Sequence, residues 1–112
     1  MAAFVTFMKG DVVVVPFPFS DLSQVKRRPA LIIATLQGQD LILCQITSRT
    51  IRDSYAVPLE LSDFVQGALQ VISNIRPNKL FTADRTLILY RIGSLKQEKI
   101  EEVTKAIMQI LQ

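Results

Sequence analysis

Between Gly10 and Ile92 the hydrophobic residues fall into short runs separated by turn-forming residues, a pattern typical of a mainly β protein. The first run, Asp11 to Val15, predicts a strand. We expect the Pro-Phe-Pro-Phe segment at 16–19 to leave the sheet, because proline donates no backbone hydrogen bond. Two further runs, 30–35 and 41–46, flank a turn-forming segment at 37–40 and predict a β-hairpin.

The later runs are weaker but have the same character. Residues 55–59 and 68–72 are strand candidates on either side of a loop, and residues 79–82 and 86–92 predict a second hairpin that turns at 83–85. Several short strands of this kind predict a small barrel or sandwich. No repeat or linker divides the chain, so we expect residues 1–112 to form a single domain.

The C-terminal segment changes to a helical period. Its apolar residues recur at spacings of three and four and predict an amphipathic helix over about residues 95–111, formed around Ile100, Val103, Ile107, Ile110 and Leu111. Ser94 followed by Gln97 matches a capping box, and Gly93 separates the helix from the preceding strand. The predicted fold class is therefore mainly β, a small β-barrel against which one C-terminal α-helix packs.

Composition excludes several kinds of chemistry. The chain has no histidine and one cysteine, which removes His-based acid–base catalysis, the usual nucleophile triads and structural zinc sites. No acidic cluster has metal-site spacing, so we expect neither a metal nor a cofactor. Cys44 stands in an apolar run and predicts a buried structural thiol.

The same composition bears on location and partners. One cysteine allows no intrachain disulfide, and no apolar run approaches the ~20 residues that span a bilayer. We therefore expect a cytoplasmic protein with no membrane association. The net charge of +3 is compatible with an anionic partner.

The segment Lys26-Arg27-Arg28-Pro29 runs directly into the apolar residues 30–34. Pro29 restrains the backbone at the entry to a core strand, which favours a preorganised Arg28 guanidinium. A guanidinium suits phosphate because its planar fork makes two parallel hydrogen bonds. The alternative is that these cations are ordinary solvated loop charges.

Thr47 and Ser48 follow the end of the run 41–46. If runs 30–35 and 41–46 pair as a hairpin, Arg28 and Thr47 become neighbours. One hydroxyl could then donate to a phosphoryl oxygen while Arg28 neutralises developing charge. The alternative is that both hydroxyls only satisfy backbone groups of a turn.

Four segments in the same order resemble the motifs of the MazF/PemK (Kid) family of toxins from type II toxin–antitoxin modules. They are the Gly-Asp strand with its following loop, the Arg-Pro-Ala strand start, the Thr-Ser segment and the Ile-Gly entry to the last helix, at residues 10–21, 28–33, 45–48 and 92–95. The resemblance covers nearly the whole chain.

The resemblance implies an SH3-like β-barrel that forms a homodimer, binds a cognate antitoxin and cleaves single-stranded mRNA as a metal-independent endoribonuclease. It implies that Arg28 and Thr47 are catalytic, together with Ser48, and that the 2′-hydroxyl of the RNA attacks the adjacent phosphate. The residues expected to contact RNA are Phe17, Ser20, Asp21, Lys26, Arg27, Arg49, Asn74 and Arg76.

The chain also departs from the family pattern. Gln45 stands where the family has proline, two residues before Thr47, and residues 71–74 lack the acidic residue and the arginine that some members carry there. Two other functions therefore stay open: a non-catalytic toxin of the same barrel class that acts by protein binding, as gyrase poisons do, and a non-toxic nucleic-acid-binding barrel. The largely apolar C-terminal residues 107–112 predict packing, which counts against the first of these.

Overall fold

The computed structural model describes residues 6–18 and 25–112. In chain order its elements are β1 (Asp11–Pro18), β2 (Val25–Thr35), β3 (Asp40–Thr47), β4 (Val57–Leu59), β5 (Phe64–Gly67), β6 (Ser73–Asp84), β7 (Tyr90–Leu95) and α1 (Gln97–Leu111). Short 3₁₀ turns occupy Leu61–Asp63 and Arg85–Leu87.

The seven strands form one antiparallel sheet in the order β4-β6-β3-β2-β1-β7-β5, which curls into a half-barrel with α1 packed against it. The predicted fold class, mainly β with a C-terminal helix, is confirmed. The hairpin predicted for 30–35 and 41–46 is also confirmed, because β2 and β3 pair with Ala30 opposite Gln45.

The prediction that the strand ends before the Pro-Phe-Pro segment is wrong. β1 continues to Pro18, with Pro16 opposite Arg27 in β2. The Val14 carbonyl accepts a hydrogen bond from the Leu89 N–H, so even-numbered positions of β1 direct their backbone polar groups away from β2. In the described part of the chain β7 pairs with β1 only as far as Val14. No strand of that part lies beside β1 at the two prolines on this side, so their lack of a backbone N–H removes no hydrogen bond from the sheet.

The second predicted hairpin is also wrong. β6 pairs with β3 and β4, whereas β7 pairs with β1 and β5, and the turn at Arg85–Leu87 separates them. The Arg85 N–H donates to the Gln39 carbonyl, which ties this turn to the β2–β3 connection. Residues 68–72 are not a strand, because β5 ends at Gly67, and the candidate at 55–59 is reduced to Val57–Leu59.

The sheet is apolar on both faces. Alternate side chains of a strand point to opposite faces, and both sets are buried here. One cluster, between the sheet and α1, contains Val12, Leu31, Cys44, Ile46, Ile75, Ile100, Val103 and Ile107. The other, on the face away from α1, contains Val13, Val15, Ala30, Ile32, Leu41 and Leu43, with Phe17 and Phe81 packed against it.

The predicted helix is present but begins later than expected. β7 continues through the buried Leu95, so Ser94 lies in a strand and the predicted capping box is absent. Lys96 occupies the N-cap position without a side-chain cap, and its N–H donates to the Asp63 carbonyl. Within the described ranges no helix is long and apolar enough to cross a membrane.

The apolar stripe of α1 is narrower than predicted. Ile100, Val103 and Ile107 are buried and Ile110 is half-buried, but Leu111 is 74% exposed. The C-terminal end of the helix therefore packs only in part, contrary to the expectation for residues 107–112.

Candidate functional site

The β2–β3 hairpin brings Arg28 and Thr47 to one end of the sheet. Ala30 lies opposite Gln45 in this antiparallel pair. Arg28 is two residues before Ala30 and Thr47 is two residues after Gln45, so both lie toward the same end of the pair. Side chains two residues apart in a strand point to the same face of the sheet. Ala30 belongs to the cluster on the face away from α1, so the side chains of Arg28 and Thr47 lie on that face as well. Arg28 is half-buried and Thr47 is buried.

The larger cavity at this end has a volume of about 560 Å³, and we call it the main cavity. On one side it is lined by the cations of Arg27 and Arg28 and the hydroxyls of Thr47 and Ser48. Its other wall is formed by the segment 68–71 with Tyr90 and Ile92. The main cavity thus combines positive charge with apolar surface, which suits an anionic chain that also carries flat, apolar groups.

A smaller cavity of about 280 Å³, the side cavity, lies next to the main cavity. It is lined by Arg28, Gln45, Thr47, Arg49, Thr50, Ile51 and Arg76. Arg28 and Thr47 line both cavities, so they stand at the boundary between them. A ligand that occupied both cavities would pass directly over this pair.

Hydrogen bonds order the chain just after β3. The Thr47 Oγ1 accepts from the Arg49 N–H at 3.2 Å, and the Asn74 side-chain amide donates to the Arg49 carbonyl at 3.2 Å. Thr47 therefore does satisfy a turn, as one of the two interpretations expected. Since Oγ1 acts as the acceptor in that bond, the hydroxyl keeps its own proton for donation to a ligand.

Arg76 is held by an ion pair. Its Nη2 lies 3.0 Å from Oδ2 of Asp53, and its side chain is 19% exposed. Partial desolvation alone would raise the pKa of Asp53, but the N–H of Tyr55, which donates to Oδ1, and the Arg76 guanidinium lower the pKa below its usual value. Asp53 is therefore a carboxylate at neutral pH and fixes the position of Arg76.

Most of the predicted site residues are brought together. Six of them line one or both cavities, namely Arg27, Arg28, Thr47, Ser48, Arg49 and Arg76. A seventh, Asn74, donates a hydrogen bond to the carbonyl of Arg49. Their proposed roles in RNA cleavage or binding stay predictions.

The remaining predicted residues are not at the cavities or cannot be placed. Phe17 packs edge to face on Phe81, with ring centroids 4.8 Å apart, which is core packing. Lys26 is exposed on β2 opposite Phe17 and is not among the described residues that line either cavity. Ser20 and Asp21 lie outside the described residues.

Sequence reasoning missed several residues of the site. Gln45 lines the side cavity, whereas the sequence marks it only as a departure from the family pattern. A polar residue in place of the family's proline is a signal that could have identified it as a site residue. Asp53 carried no local signal, because it lies 23 residues from the Arg76 that it holds. Leu69, in the loop after β5, and Tyr90, at the start of β7, both line the main cavity, and no sequence pattern predicts that they meet.

The cysteine is not part of the site. Cys44 is fully buried on the opposite face of β3, and burial raises the pKa of its thiol to about 12. The prediction of a buried structural thiol is confirmed.

Comparison with solved structures shows the same fold in several toxins. A mycobacterial endoribonuclease in complex with its cognate antitoxin has a TM-score of 0.74 at 14% identity, covering 95% of both chains. MazE–MazF (Form-III) from Deinococcus radiodurans has a TM-score of 0.71 at 20% identity, covering 91% of this chain and 92% of the other. For Mycobacterium tuberculosis toxin MazF-mt6 the TM-score is 0.67 at 16% identity, with coverages of 88% and 95%.

Sequence comparison gives the family. No curated protein sequence matches the chain. The family model described as PemK-like, MazF-like toxin of type II toxin–antitoxin system matches residues 8–111. This match spans nearly the whole chain, and the chain belongs to the PemK-like, MazF-like family of type II toxins.

Proposed function

We propose that this chain is the toxin of a type II toxin–antitoxin pair and a sequence-selective endoribonuclease that cuts single-stranded RNA without a metal ion. The observation that carries the proposal is the position of Arg28 and Thr47 at the boundary of two adjoining cavities. A single strand that fills both cavities carries one phosphate over this pair.

The chemistry uses the substrate as its own nucleophile. The 2′-hydroxyl oxygen bonds to the adjacent phosphorus and gives up its proton, the bond from phosphorus to the 5′ oxygen breaks, and that oxygen is protonated as it leaves. The products are a 2′,3′-cyclic phosphate and a 5′-hydroxyl. A histidine-free chain can support this reaction, because it needs to supply charge stabilisation and orientation rather than a nucleophile.

The residues divide that work. The guanidinium cation of Arg28 stabilises the negative charge that accumulates on the phosphate oxygens. The Thr47 hydroxyl, whose oxygen is engaged by the Arg49 N–H, donates its proton to one of those oxygens. Ser48 lies beside it in the main cavity and supplies a second hydroxyl.

Two protein partners belong to the proposal, a second copy of this chain and a cognate antitoxin. An acidic segment with interspersed apolar residues would fit the main cavity, where Arg27 and Arg28 face the apolar side chains of Leu69, Val71 and Ile92. Such a segment competes with RNA for the same cations and so blocks cleavage. The proposed place of action is the cytoplasm.

The test is cleavage of a long single-stranded RNA in the presence of EDTA. Wild-type protein should cut at a restricted set of sites and leave 2′,3′-cyclic phosphate ends, and Arg28→Ala should reduce the rate by at least about a hundredfold. Arg85→Ala is a matched control, because Arg85 lies in the turn after β6 and is not among the described residues that line the two cavities. An intact RNA with folded wild-type protein would refute the proposal.

A further inference from the structure

Gln45 and Arg76 face each other across two strands. They are direct partners in the β3–β6 pairing, immediately beside a register shift between Cys44 and Gln45. Partners in an antiparallel pair project to the same face, which here is the face that carries Arg28 and Thr47. The side chains of Gln45 and Arg76 both line the side cavity.

Arg76 presents hydrogen-bond donors from a fixed position. Its guanidinium carries five N–H donors, and the 3.0 Å bond to Asp53 uses one of them. The side chain is 19% exposed, which restricts its rotamers. Gln45 is half-buried and adds an amide, which offers both a donor and an acceptor.

The side cavity has the size and walls of a pocket for one base. Its volume of about 280 Å³ lies just below the roughly 300–1,000 Å³ of pockets for drug-sized ligands. Ile51 supplies an apolar wall, and Arg28 and Thr47 stand at the end next to the main cavity. A base in this pocket therefore belongs to a nucleotide next to the phosphate that lies over Arg28 and Thr47.

We propose that Gln45 and Arg76 form a specificity subsite that selects guanine at one position beside the scissile phosphate, an inference that rests on the proposed ribonuclease function. Guanine presents two adjacent acceptors, N7 and O6, which match two donors of a guanidinium. Its N1–H lies next to O6 and can donate to the Gln45 amide oxygen. Adenine and cytosine present an amino donor in place of O6 and would meet the donors of Arg76 with another donor.

Asp53 is a positioning residue in this subsite. It contacts Arg76 and lies outside the set of described residues that line the side cavity. Its carboxylate aims the guanidinium through a bond to Nη2 and leaves donors of the two terminal nitrogens for the base. Proline at position 45 would lack an amide side chain, so this subsite depends on the residue by which the chain departs from its family.

The experiment begins with an RNA library randomised around the cleavage site and cut by wild-type protein in EDTA. We expect guanine to be enriched at one position beside the cut. Matched oligonucleotides then carry guanine, 7-deazaguanine, inosine or adenine at that position. Loss of N7 in 7-deazaguanine should slow cleavage by about tenfold, whereas inosine, which keeps N7, O6 and N1–H, should be cut like guanine.

Two variants test the residues separately. Arg76→Lys keeps the charge but loses the planar fork, so the rate ratio of guanine to 7-deazaguanine should fall to about one. Gln45→Ala should lower the ratio of guanine to adenine about tenfold through loss of the bond to N1–H. Arg52→Lys is the matched control, because among the described residues Arg52 is exposed and outside both cavities.

The outcomes separate the two proposals. Wild-type protein that cuts no RNA overturns the proposed function and this inference with it. Cleavage by wild-type protein without selection of guanine overturns the guanine subsite alone, and so does selection of guanine by the Arg76→Lys and Gln45→Ala variants that equals the wild-type selection. Thermal melting of each variant checks the fold, and Gln45→Ala decides the inference if Arg76→Lys does not fold.

Discussion

Replacing Thr47 by valine tests the proposed chemistry with little change in shape. Valine exchanges the hydroxyl for a methyl group at a position that is 8% exposed. The proposed donor to the phosphate oxygens is then lost. Removal of one such donor costs about 10²–10³ in rate, or about 2.7–4 kcal/mol of transition-state stabilisation. We expect the rate of Thr47→Val to fall by this factor.

The fold should lose much less than the reaction. The hydroxyl accepts one hydrogen bond, from the Arg49 N–H, and Arg49 is exposed, so water can replace the lost acceptor. A hydrogen bond of this kind contributes about 1 kcal/mol or less. The loss of transition-state stabilisation should therefore exceed the loss of folding stability severalfold.

The assay is single-turnover cleavage in EDTA, with thermal unfolding measured on the same preparations. Thr47→Ser serves as the control because it keeps the hydroxyl and should retain a rate within about tenfold of wild type. If Thr47→Val cuts within about threefold of wild type, the Thr47 hydroxyl is not a donor to the transition state. If Thr47→Ser is as slow as Thr47→Val, the hydroxyl alone does not account for the rate, because Thr47→Ser retains it.

Three further predictions concern stability and reactivity. Because the pKa of Asp53 is lowered in the folded protein, its pairing with Arg76 stabilises the fold fully above about pH 4 and less as the pH falls through the native pKa. The urea midpoints of wild type and Asp53→Asn should therefore differ at neutral pH and converge in acid. Cys44, with its pKa raised to about 12, should resist iodoacetamide in the native protein and react, as seen by mass spectrometry, only after unfolding. Gly67 and Gly38 share a φ of 75°, but an added Cβ collides with the Ile92 carbonyl oxygen at Gly67 and meets no atom at Gly38. Gly38→Ala should cost about 1–2 kcal/mol of stability, and the melting temperature of Gly67→Ala should lie well below that of Gly38→Ala.

Local patterns predicted what depends on neighbours in sequence. The pairing of β2 with β3 followed from two apolar runs around a short turn, and this pairing was enough to bring Arg28 and Thr47 together. The helix followed from its apolar period. The prediction of its start is wrong because the burial of Leu95 is a tertiary property: Leu95 pairs with Phe64, and this pairing extends β7 past the predicted cap.

Distant pairings decided the rest. β6 joins β3 rather than the nearby β7, and the prolines of β1 remain in the sheet because β7 pairs with β1 only as far as Val14. Neither choice is visible in a local run of residues, since a strand with two apolar faces can pair with several others.

The sequence alone determined that this protein is a mainly β toxin-like fold without histidine chemistry, with a cationic arginine and a threonine close together on one hairpin. Only the tertiary structure decided that this pair separates two cavities and that Asp53 holds Arg76 opposite Gln45 beside them. The physical reason is the distance along the chain over which each interaction acts. Hydrophobic period and turn chemistry act over a few residues, whereas the cavities and the ion pair form where strands far apart in the chain meet in one curled sheet.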